Sequence, residues 1–221
     1  MIRRIFHHFR SKQRGQSFVE LMLVTLILAL MLSGVVEFGY LLNSYLKVLD
    51  GSREGARFAS NGGEAFRYDD TIPGYVSLQS FYLFAAVQTM NVMAPVTLNG
   101  NKGDDILISV FTVSGSSITR WPIGYSNGWD ICENRGEPTL NLVPAKWSSC
   151  THRNSHFSTL QMLSLMDPLA PGSGIVLVEV YYNYPQLLKL PIFAQVIPDP
   201  IPVYTYSVMP LASAEPTPTT P

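Results

Sequence analysis

Sixteen consecutive residues, Leu21 to Val36, carry no charge and only Thr25 and Ser33 as hydrogen-bonding side chains. Extended back to Ser17, the run is twenty residues long with a single carboxylate, Glu20. A helix rising about 1.5 Å per residue covers about 30 Å in twenty residues, the thickness of a bilayer's hydrocarbon core. The run therefore reads as a membrane-spanning helix. An ionisable group inside such a helix is costly unless it is paired, which makes Glu20 a functional candidate.

The segment before the span is basic. Residues 1 to 14 hold Arg3, Arg4, Arg10, Lys12 and Arg14 and no acid, although the whole chain has a formal net charge of only −1. Short basic flanks stay in the cytoplasm, so the N-terminus is expected inside and everything beyond Leu42 outside. A cleaved secretory signal peptide is the alternative. Against it stand the length of the run, the lack of a small-x-small cleavage site after it, and helical periodicity that continues past it. The adjacent His7 and His8 do not face the same way on a helix and make no metal site.

Beyond the span the pattern turns amphipathic. Phe38, Leu41, Leu42, Tyr45 and Leu49 fall on one side, and Asn43, Lys47, Asp50, Glu54 and Arg57 on the other. One helix is therefore expected from about Gln16 to Ser60, stopped by Asn61, Gly62 and Gly63. Gly51, Gly55 and Ala59 are spaced four apart, so their face admits another backbone closely. That backbone belongs either to a partner helix or to the chain's own globular domain, and the spacing does not choose.

The remainder reads as an α+β domain. Polar and turn-forming residues make Glu64 to Pro73 a loop, and a helix follows from Leu78 to about Met93, capped by Ser77 and ended by Pro95. Strands are expected at Asp105–Val113, Ile175–Tyr182 and Val203–Val208, and a short helix at Ser155–Met166. The stretch from Thr119 to Ser149 has no periodicity and reads as an irregular excursion. Asp69 with Asp70 and Asp104 with Asp105 sit beside turns and read as solvated loop charge. The Pro- and Thr-rich end, residues 211–221, is too poor in apolar residues to pack. The expected organisation is a leader over 1–15, a long helix over 16–61, an extracytoplasmic antiparallel-sheet domain over 62–210, and the tail.

Cys132 and Cys150 are the two cysteines of the chain and bracket the irregular excursion. Outside the cytoplasm they are expected to form a disulfide. The competing reading joins them to His152 and His156 as a zinc site, a Cys-x-His-x3-His spacing uncommon for zinc. A membrane-anchored metal-dependent hydrolase rests on that cluster alone. No Gly-rich phosphate loop, Gly-x-Ser-x-Gly or His-Glu-x-x-His occurs, and the basic residues form no aromatic-interleaved stripe for nucleic acid. The expectation is a protein that is not an enzyme, with no cofactor, no metal and no nucleic-acid partner.

The run Arg14-Gly15-Gln16-Ser17-Phe18-Val19-Glu20 opens an apolar helix. With Val36-Glu37-Phe38-Gly39 and Arg53-Glu54-Gly55-Ala56-Arg57-Phe58-Ala59, it closely resembles the TadE-like family, minor pseudopilins of the tight-adherence type IV pilus system. The resemblance covers about residues 12 to 60, and the chain departs from the family pattern in the long insert before Ile175. It implies a pilin-like fold, a prepilin peptidase that cuts after Gly15 to leave Gln16 first, and Glu20 pairing with the terminal amine of a neighbouring subunit. It also implies helix packing at Gly51, Arg53, Glu54, Gly55 and Arg57. The implied partners are the membrane, the peptidase, other pilin or pseudopilin subunits and the pilus assembly platform. A membrane-tethered surface-binding domain that never polymerises, using the aromatic excursion as an adhesive face, is the alternative.

Overall fold

The computed structural model describes residues 13–61, 78–114, 117–122, 126–132, 150–165, 174–189 and 197–211. The basic leader, the loop carrying Asp69 and Asp70, most of the cysteine-bracketed excursion and nearly all of the tail lie outside the described residues. The fold is α+β, a long apolar N-terminal helix followed by an antiparallel-sheet domain.

Helix α1 spans Gln13–Asn61 and begins three residues before the expected start. Its stretch from Ser17 onward is long and apolar enough to cross a membrane. Helix α2 spans Leu78–Met93, as the apolar pattern and Pro95 predict. Five strands follow, β1 (Asp105–Ser114), β2 (Ser117–Trp121), β3 (Trp129–Asp130), β4 (Gly174–Tyr184) and β5 (Ile201–Leu211), with a short helix α3 (Thr159–Leu163) between β3 and β4. The sheet order is β2-β1-β4-β5, with β3 also pairing β1, and every pairing is antiparallel.

The period-two pattern of β1 and β4 makes two apolar faces. Ile106, Ile108 and Val110 join Val176, Val178 and Val180 in the main core beneath α1 and α2, whereas Phe111 and Leu177 pack on Met162 of α3 on the other side. Strand β5 runs alongside α1 in the same direction. Ile201 and Glu37 line a common cavity, and Thr205 Oγ1 reaches the Val48 carbonyl at 3.4 Å. The strand ends that flank the β4–β5 connection, Tyr184 and Ile201, therefore lie at the end of the domain nearest the apolar span.

Of the two partners left open for the small-residue face of α1, the chain's own domain takes it, and three other expectations, on Asp104 and Asp105, on the excursion and on α3, need correction. Val48, Gly51, Ser52, Gly55, Ala56 and Ala59 are buried, while Phe38, Leu42 and Tyr45 stay exposed. Small residues win because α2 approaches α1 too closely for larger ones. Asp104 and Asp105 are not solvated but 2% and 0% exposed, because β1 begins there and their carboxylates bind backbone N–H groups. The excursion from Thr119 is not irregular at its start. Strands β2 and β3 form there by pairing with β1, an order that local periodicity does not encode. Finally, α3 is shorter than Ser155–Met166. Ser158 caps it through a capping box with Gln161, and Ser155 and His156 bind Glu179 instead.

Candidate assembly site on the long helix

The lower part of α1 is a bare apolar rod. Phe18, Leu21, Met22, Leu28, Met31 and Val35 are all exposed, and so is Glu20, whose carboxylate has no partner among the described residues. Gly15 and Gln16 lie in the first turn of the helix. Above the span, Leu42, Tyr45 and Leu46 continue an exposed apolar stripe for two further turns, with Phe38 (63% exposed) at its lower edge beside a cavity shared with the domain. A helix that presents apolar side chains all round below and a stripe above is suited to lie in lipid and against other helices.

The opposite face is taken up by the chain itself. A Cβ on Gly51 would sit 2.4 Å from Met93 Cγ and 2.9 Å from the Thr89 carbonyl oxygen, and one on Gly55 would sit 2.0 Å from Thr89 Oγ1. The small residues are thus the seam between α1 and α2. Arg53 and Arg57 point to solvent, and Arg57 Nε donates to Glu54 Oε2 at 2.7 Å along the helix surface.

Glu37 is a contact that residue spacing did not single out. Its carboxylate accepts the Tyr184 hydroxyl at 3.1 Å and the backbone N–H groups of Leu187 at 2.9 Å and Leu188 at 2.8 Å. Burial, then the hydrogen bond to Glu37, pushes the Tyr184 phenol up to about 12. The available signal was an acid directly after an apolar run, whereas its partners in YPQLLK lie 147 to 151 residues away in sequence.

On the far side of the sheet Cys132 and Cys150 form a disulfide, with Cα atoms 5.7 Å apart. The histidines of the metal reading are engaged elsewhere. His152 Nδ1 lies 2.7 Å from Asp130 Oδ2, and the His156 ring stacks on Tyr204 with centroids 4.3 Å apart. Asp105 faces Asp130 beside Cys132, and burial foremost, then the Asp130 charge, pushes its carboxyl up to about 8. Glu179 is fully buried and accepts Ser155 Oγ, the His156 N–H and the Tyr204 hydroxyl. It was legible as the sole charge within IVLVEVYY, and it ties the segment after the disulfide to the sheet. Arg120 adds a second tie, donating to Ser109 Oγ and to the carbonyls of Ser126, Asn127 and Phe157.

Residues 15–57 match the family model described as TadE-like protein. Over this stretch the chain is similar to the TadE-like family. The TadE-like stretch takes in Glu20, the apolar rod, Glu37 and most of the glycine seam, and it ends before α2 and the sheet. No curated protein and no solved structure matches the chain.

Proposed function

We propose that this chain is a membrane-anchored, non-enzymatic minor pseudopilin that takes part in assembling a tight-adherence type IV pilus or a related secretion filament. The carrying observation is Glu20, exposed and unpartnered among the described residues, on an apolar helix that matches the TadE-like family. Prepilin peptidase cuts after Gly15, and the freed Gln16 amine of one subunit meets the Glu20 carboxylate of the next. Opposite charges that are each costly in a low-dielectric layer become tolerable when they meet. The exposed stripe from Phe38 to Leu46 packs on neighbouring helices above the membrane. The basic leader stays in the cytoplasm and the disulfide-bearing domain lies outside, where disulfides persist.

The test is crosslinking to partner pilins, or pilus yield, for wild type and Glu20→Leu at matched membrane levels. A lone anchor gains nothing from a carboxylate in its apolar run, so Glu20→Leu would leave it unaffected or ease its insertion. A filament subunit instead still inserts but loses co-assembly. Equal assembly by both proteins removes the role of Glu20 and favours the tethered binding domain. That domain's best surface is the ring cluster of His156, Tyr181, Tyr204 and Tyr206, the last 50% exposed.

A further inference from the structure

The start of the β4–β5 connection, at Leu187 and Leu188, is held at a fixed height on α1. Glu37 follows directly on the apolar run that ends at Val36, and its carboxylate binds the backbone N–H groups of Leu187 and Leu188. Counting from Ser17 at about 1.5 Å per residue, Glu37 stands about 30 Å along the helix, where a bilayer's hydrocarbon gives way to headgroups. The loop amides are within hydrogen-bond distance of that level, so the leucines that carry them are there too.

The side chains at this level are unusual for a water-facing loop. Leu187 is 57% exposed, Leu188 38% and Ile197 39%. Beside them Lys189, also exposed, pairs with Asp199 at 3.2 Å. Leu188, Lys189 and Ile197 join Gly34, Phe38 and Leu41 of α1 around an almost wholly apolar cavity of about 160 Å³. Apolar side chains of the helix thus adjoin those of the loop across this cavity.

We propose that the two described ends of the β4–β5 connection form a second membrane contact, in which Leu187, Leu188 and Ile197 enter the outer bilayer interface beside the helix and Lys189 meets the headgroups. The inference rests on the reading of α1 as a membrane span. Apolar side chains at an interface sit about 5–10 Å deep, at the boundary of headgroups and acyl chains, and basic side chains beside them favour anionic lipid. With the span as one contact and the loop as the other, the domain cannot swing freely about the helix. It is held at one tilt over the membrane, which fixes the face it turns to neighbouring subunits.

Both native cysteines are in the disulfide, so an introduced cysteine provides a unique labelling site. The full chain is reconstituted in phosphatidylcholine–phosphatidylglycerol liposomes with an environment-sensitive fluorophore on Leu187→Cys. It is then challenged with lipids spin-labelled near the headgroup or near the chain end, and with aqueous iodide. The shallow lipid quencher is expected to remove emission from this label. It should not do so from a label on Leu160→Cys, an exposed position on α3, whose Met162 packs on Leu177, seven residues and roughly 20 Å up β4 from Tyr184. Ile197→Cys is the second reporter should Leu187→Cys fail to fold. Quenching by iodide alone overturns the proposal, and so does shielding from both quenchers, which marks a protein contact instead. A label on Leu28→Cys keeps the two readings apart. If the chain-end quencher reaches it but the shallow quencher misses Leu187→Cys, the loop contact fails while the span stands. If the chain-end quencher does not reach it, the span falls and the loop contact with it.

Discussion

Glu37 Oε2 accepts the backbone N–H of Leu188 at 2.8 Å across 151 residues of sequence. A single helix residue thereby fixes the loop that joins the two longest strands of the domain to the point where the apolar run ends. Three donors converge on this carboxylate, and hydrogen bonds to a charged group contribute about 1.5–3 kcal/mol each where they are well shielded. Glu37→Ala is expected to lower unfolding stability by about 2 kcal/mol, because the loop is half open to solvent and its amides partly recover water. Glu37→Gln, which keeps one acceptor oxygen, should lose less. Thermal unfolding of the detergent-solubilised full chain measures both.

The glycine seam makes an opposite pair of predictions. At an exposed helix position, Gly to Ala stabilises by up to about 1 kcal/mol, and Gly39, with nothing within 4 Å of an added Cβ, should follow that rule. Gly55→Ala instead drives a methyl group into Thr89 Oγ1, whose hydroxyl donates to the Ala85 carbonyl within α2. Overpacking of this kind costs about 1–3 kcal/mol, so the sign reverses. Denaturant midpoints for Gly39→Ala and Gly55→Ala should move in opposite directions, and a stabilised Gly55→Ala would remove the claim of close approach.

Asp105 gives the domain an inverted pH response. Its folded carboxyl titrates near 8, above the ordinary carboxylate value near 3.8 that the unfolded chain adopts. Between these values the folded state holds the proton more tightly than the unfolded state. Stability from this group therefore falls as pH rises from about 4 to about 8. Unfolding temperature is expected to be lower at pH 8 than at pH 5, and the difference should shrink in Asp105→Asn. An unchanged difference in that variant would assign the pH dependence to other groups.

The disulfide joins cysteines at a sequence separation of 18, for which the chain-entropy relation gives about 3 kcal/mol. Cys132→Ser with Cys150→Ser should lower stability by about that amount. Ser155, His156 and Arg120 hold one flank of the segment to the sheet independently of the disulfide, so the domain is expected to stay folded at low temperature. Titration of free thiols in the denatured wild type, with no reductant, should find none.

Much of this protein was legible in one dimension. A run of twenty residues with one charge, a basic flank, helical spacing to Asn61, an apolar helix ended by Pro95 and three β-branched runs are local patterns. Period and hydropathy report such elements directly, because each depends on neighbours within a few residues. Cysteine count and compartment gave the disulfide in the same way, and the motifs around Gly15 and Glu20 gave the TadE-like resemblance.

What the tertiary structure decided were the relations between distant residues. The Gly51–Gly55 spacing admits a partner helix as readily as α2, and only the position of Thr89 and Met93 chose α2. Burial usually favours size, yet Phe38 and Leu42 stay exposed while Gly51, Gly55, Ala56 and Ala59 are buried, because close helix approach favours small residues. Asp104 and Asp105 looked solvated because burial of a carboxylate depends on the amides that meet it. Those of Asn99, Arg153 and Asn183 reach them from 5 to 79 residues away. Glu37 is the same case over 147 to 151 residues. A charge that ends an apolar run reads as the edge of the membrane, and only the folded chain shows that it also holds the loop carrying Leu187 and Leu188.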